Sequence, residues 1–119
     1  MERLWRATIN TWNGLVAAAR SEQAFRQELW LAAVAVPLAL WLTDDFARRF
    51  ALIGTIFLIM IAELLNTAIE KLADRVTMEN DKAIGRVKDM GSAAVGLSLL
   101  LAGLAWLWVI AERFLLQRP

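Results

Sequence analysis

From Met90 to Ala111 the chain runs 22 residues without a charged side chain. A helix crossing a bilayer needs about 20 such residues. Lipid offers no hydrogen bonds, so a segment of this kind must pair its own backbone groups as a helix. Two further uncharged tracts precede it, Leu29–Leu42 with Pro37 inside and Phe50–Ala62. Apolar residues make up 59% of the 119 residues. That is above the share of an average soluble domain, and a chain this short cannot bury so much. Lipid must cover part of it.

The pattern predicts an all-α membrane protein forming one domain over residues 1–119, with a surface helix and three transmembrane helices. Residues 1–20 place Leu4, Trp5, Ile9, Trp12, Leu15, Val16 and Ala19 at steps of three and four, with Arg3, Arg6 and Arg20 at the polar edge. This is an amphipathic helix suited to a membrane interface rather than a signal peptide, whose apolar stretch would be unbroken. Ser21 and Glu22 read as the start of the next helix. The spans are expected at about 24–43, 47–74 and 86–112, with Thr43–Asp45 and residues 76–84 as connections. Trp106 and Trp108 suit the far interface. The backbone that Pro37 frees is left to neighbouring helices.

Basic residues orient the helices. Arg3, Arg6, Arg20 and Arg26 with Lys71, Arg75, Lys82, Arg86 and Lys88 make nine on one side, against Arg48, Arg49, Arg113 and Arg118 on the other. The positive-inside rule puts the N-terminus and the loop between the second and third spans in the cytoplasm, and the C-terminus on the opposite side. A net charge of +1 suggests no nucleic-acid partner. Without cysteine or histidine, chemistry must rest on carboxylates, lysine, arginine and hydroxyls.

The second span is the chemically unusual one. At 100° per residue Glu63, Asn66, Thr67, Glu70 and Asp74 share one stripe, and Glu63 and Glu70 lie about 10 Å apart along the axis. Eight of the twelve acids gather at the same boundary, including Glu22, Glu28, Glu79, Asp81 and Asp89. Acidic groups at membrane depth are usually functional or paired. Three readings stay open from the residues alone: structural pairing of Glu70 or Asp74 with a basic neighbour, ion or proton passage, and catalysis with a divalent cation, for which carboxylate and amide oxygens are suitable ligands. No Walker-type or dinucleotide glycine motif is present. Gly91, Gly96 and Gly103 with Ser92, Ala94 and Ser98 read as helix-packing faces.

Three segments carry a resemblance: Glu22–Glu28 (EQAFRQE), Glu63–Arg75 (ELLNTAIEKLADR) and Gly85–Val95 (GRVKDMGSAAV). Together they resemble the prokaryotic diacylglycerol kinase family over nearly the whole chain. The resemblance implies a homotrimeric membrane kinase that transfers the γ-phosphoryl group of ATP, with Mg2+, to diacylglycerol. It implies Glu63 as the general base and Glu22 and Glu70 as metal ligands. It places Arg3, Asn10, Glu22, Glu70, Glu79, Asn80, Asp81, Lys88 and Asp89 at the nucleotide. Arg3, Ala7, Trp12, Gly14, Phe25, Arg26, Gln27, Glu28, Glu63, Asn66, Ser92 and Trp106 match positions at the lipid substrate. Asn10 stands where well-known members have tyrosine, and Asn80 and Asp81 where they have an aromatic residue and histidine. Undecaprenol kinase is the alternative within the superfamily, although Met90–Ala94 looks closer to the diacylglycerol branch. A small ion- or proton-conducting subunit is the alternative from another class.

Overall fold

A computed structural model describes residues 1–116, which form four helices: α1 (Glu2–Ser21), α2 (Gln23–Leu42), α3 (Phe46–Val76) and α4 (Lys82–Phe114). Arg118, counted above for orientation, lies outside the described residues. No strand occurs among those described. The last three helices are each long and apolar enough to cross a membrane, so this is a multi-pass helical membrane protein. With 31 residues, α3 extends about 46 Å, against about 30 Å of hydrocarbon. Its polar second half therefore reaches beyond the apolar slab.

Helices α3 and α4 run antiparallel and form the main packing unit. Along them Arg48 meets Glu112, Thr55 meets Trp106, and Asp74 meets Lys88. The core is thin. One cluster joins Ala35, Ile56, Ile59 and Ala102, and a second joins Ala39, Leu42, Leu52 and Val109. Alanines at both crossings let backbones approach closely, the usual device where lipid removes the hydrophobic drive between helices. Most large apolar side chains, among them Leu97, Leu100, Leu104 and Leu107, point outward. Helix α1 buries none of its residues and exposes Leu4, Trp5 and Trp12.

The elements match the predicted ones, and the boundaries shift for identifiable reasons. Ser21 ends α1 instead of starting α2, because its hydroxyl donates backward to Ala17 O at 2.8 Å. The second connection shrinks to residues 77–81. The Asp81 carboxylate accepts from the amides of Ala83 and Ile84, so α4 begins at Lys82. Asp45 likewise caps α3 by accepting from Arg48 N at 2.9 Å. Pro37 sits inside an unbroken α2.

Two features of the far end were not anticipated. Arg48 clamps the buried Glu112 through Nε and a terminal nitrogen at 2.8 and 2.9 Å. Arg49 donates to Thr43 O and Leu40 O at 2.7 and 2.8 Å, closing the carbonyl end of α2. Trp106, read as an interfacial anchor, is half-buried against both core clusters and donates to Thr55 Oγ1 at 3.2 Å. Trp108 does face outward.

Candidate active site

The polar stripe of α3 exists as a structural feature, and each of its members meets a different environment. Asp74 forms an ion pair with Lys88 of α4 at 2.6 Å. This is the structural pairing that the sequence left open for that residue. Glu70 forms no ion pair among the described residues; its Oε1 accepts from Asn66 Nδ2 at 3.2 Å. Asn66 itself is buried where α3 touches α4. Its Oδ1 is also buried and has no hydrogen-bond partner.

Glu63 is half-buried and has neither a hydrogen bond nor an ion pair among the described residues. Glu28 of α2 lies near enough to repel it electrostatically. Glu28 Oε1 is buried and unpartnered as well. Two carboxylates thus lie within electrostatic reach of each other, and neither forms an ion pair among the described residues. The cost of such an arrangement is of the kind kept for function.

Glu22 occupies the extended residue between α1 and α2, where it serves as N-cap without a side-chain cap bond. Its carboxylate reaches α3 instead and pairs with Lys71 at 2.7 Å. Lys71 follows Glu70 in the chain, so one expected metal ligand is paired with the residue next to the other. Sequence reasoning weighed Lys71 only as a structural partner for Glu70 or Asp74. Glu22 lies 49 positions away, and no periodic signal links them. A groove of about 430 Å³ between α1 and α3 gathers Asn10, Gly14, Glu22, Thr67 and Lys71. A second, apolar groove of about 550 Å³ runs under α1 and is lined by Trp12, Phe25, Leu29, Phe57 and Leu64 among others. An acyl chain is of the right chemistry for it.

Other predicted residues stand apart. Arg3, Ala7 and Asn10 share an open patch near the start of α1. Arg26 donates to Ala19 O and Arg20 O at 3.1 and 3.0 Å, bracing the corner between α1 and α2. Gln27, Glu79, Asn80, Asp89 and Ser92 are exposed. Asp81 is engaged as the α4 cap. Trp106 is not brought to the stripe. Its partner Thr55 precedes Glu63 by eight residues, about 12 Å along α3.

Comparison with known proteins places this arrangement. The profile described as "Prokaryotic diacylglycerol kinase" matches residues 9–110. The chain belongs to the prokaryotic diacylglycerol kinase family. Among relatives, the diacylglycerol kinase of Escherichia coli K12 is 42% identical over 112 residues, covering 94% of this chain and 92% of its own. That of Haemophilus influenzae is 39% identical over 93 residues, 78% and 79% of the two chains. That of Pseudomonas aeruginosa is 37% identical over 110 residues, 92% and 89%. The matched region of the diacylglycerol kinase family takes in the whole stripe, the Glu22–Glu28 corner and the Asn66 contact with α4.

Proposed function

We propose that the chain acts as a single membrane-embedded domain that phosphorylates diacylglycerol with ATP, giving phosphatidic acid. The observation that carries the reading is Glu63, a half-buried carboxylate on α3 with neither an ion pair nor a hydrogen bond among the described residues. A general base needs a free lone pair facing the hydroxyl it serves. Glu63 accepts the proton of the lipid hydroxyl as that oxygen bonds to the γ-phosphorus. The bond from phosphorus to the bridging oxygen breaks, and ADP leaves with the electron pair. Phosphoryl transfer asks mainly for positioning and charge neutralisation, and the residues around Glu63 divide these tasks.

The donor set fits a hard divalent cation. Magnesium is commonly held by one or two carboxylates, with water and substrate phosphates completing the shell. Among the described residues no three metal-ligating side chains converge. Glu22 and Glu70 would hold it. Its charge would offset that of the phosphates. Lys71, whose side chain is 62% exposed, is free to swing away from Glu22. Lys88 would contact the phosphates on release from Asp74, with Asp89, Arg3, Asn10 and the Glu79–Asp81 turn around the nucleotide. Trp12, Phe25 and Glu28 would border the lipid, with Ala7, Gly14, Arg26, Gln27 and Ser92 as its further contacts.

Nine basic residues on one side support a cytoplasmic active site in an inner membrane. A homotrimer is supported by family resemblance and by the outward apolar faces of α3 and α4. The test is transfer of labelled γ-phosphate in mixed micelles, run in parallel on diacylglycerol and undecaprenol, with and without Mg2+. Label should pass to diacylglycerol, and only with the metal. Faster turnover on undecaprenol would replace the substrate; no labelled lipid at all would end the kinase reading.

A further inference from the structure

Glycine 91 is the only glycine of the described residues whose added Cβ would meet anything within 4 Å. What it would meet is Asn66: it would overlap Oδ1 and stand 3.3 Å from Cγ. Elsewhere the glycines of α4, Gly85, Gly96 and Gly103, face open space. Gly91 is therefore not interchangeable with the other small residues of its helix.

The orientation of the Asn66 amide explains why. Glu70 is a carboxylate and accepts, so Asn66 must present its NH2 group to it. The carbonyl end then points the opposite way, toward α4. Asn66 retains only 8% of its exposure and, with Gly91, lines a groove of about 660 Å³ between α3 and α4. Any residue with a Cβ at position 91 would press on Oδ1 and rotate the amide, pulling Nδ2 from Glu70. The α3–α4 contact at this point sets the rotamer of a group that in turn holds a carboxylate.

We infer that Gly91 is a positioning residue. By leaving space for Asn66 Oδ1 it fixes the amide that orients Glu70 toward the divalent cation. This deepens the kinase reading above and rests on the metal role of Glu70. Side chains that orient a metal ligand typically contribute about 10–100-fold in metal affinity.

The test is binding of Mn2+ together with β,γ-imido ATP, followed by electron paramagnetic resonance on the full chain in detergent micelles. Gly91→Ala should weaken Mn2+ about 10-fold. Gly96→Ala and Gly103→Ala should bind as wild type. Asn66→Ala should weaken binding similarly, and adding Gly91→Ala to it should cost nothing more. Wild-type binding by Gly91→Ala, or an undiminished extra loss in the Asn66→Ala background, would overturn the inference. Should Gly91→Ala fail to fold, the double variant decides: folding restored by Asn66→Ala supports the contact, and a double variant that also fails overturns it. Glu70→Gln separates the two levels. Unchanged Mn2+ binding there removes Glu70 from the metal and takes the underlying reading with it. Loss there with none in Gly91→Ala overturns the positioning role alone.

Discussion

The two ends of the α3–α4 pair handle buried charge in opposite ways. At the far end the carboxylate of Glu112, 3% exposed, is gripped by Arg48 at 2.8 Å, and Asp45 joins the same guanidinium at 3.3 Å. Arg49 closes the carbonyls of α2, and the Trp106 indole finds Thr55. Toward the other end Glu63 and Glu28 repel each other, and Glu28 Oε1 and Asn66 Oδ1 are buried without a hydrogen-bond partner among the described residues. One end is satisfied as a stable protein requires. The other holds unsatisfied acceptors that a hydroxyl proton, a cation or a nucleotide could meet. Stability and activity should therefore separate along the length of one helix pair.

That separation can be broken or sharpened by substitution. Arg48→Ala should cause the largest loss of stability, because it removes the two-bond clamp on the buried Glu112 carboxylate. Reversible unfolding in detergent measures it, and turnover per folded protomer should stay near wild type. Replacing the pair together, as Arg48→Met with Glu112→Leu, should recover most of the loss. Glu70→Gln should do the reverse: unfolding unchanged, and the Mg2+ concentration for half-maximal rate raised about 10-fold, or about 1.4 kcal/mol. An unchanged metal requirement would remove Glu70 from that role. Trp106→Phe should be mildest, about 0.6 kcal/mol for one interhelical hydrogen bond in a membrane, with no change in turnover. A large loss of turnover in that variant would bring Trp106 back to the lipid site.

Much of this is legible in the amino-acid sequence. The uncharged tracts located the spans, because bilayer thickness and backbone pairing leave few alternatives. Helical angles gathered Glu63, Asn66, Glu70 and Asp74 on one face, and the resemblance assigned roles to them. What escaped were long-range pairings. Glu112 follows the apolar run directly and reads as an exit into water, yet Arg48 lies 64 residues earlier and buries it. Trp106 has the position of an interfacial anchor, and only the neighbouring helix reveals its hydrogen bond. Gly91 looked like one of several small packing residues until Asn66 was placed against it. Local periodicity sees one helix at a time; these features belong to pairs.

The most direct test of the account is the turnover of Glu63→Gln on diacylglycerol, measured on protein whose unfolding midpoint is recorded in the same detergent. The account predicts a fall of about 10²–10⁴-fold, the usual contribution of a general base. The midpoint should be unchanged or raised, since the substitution removes the repulsion between Glu63 and Glu28. Turnover within a few-fold of wild type, or a loss of activity that merely follows a lowered midpoint, would contradict it.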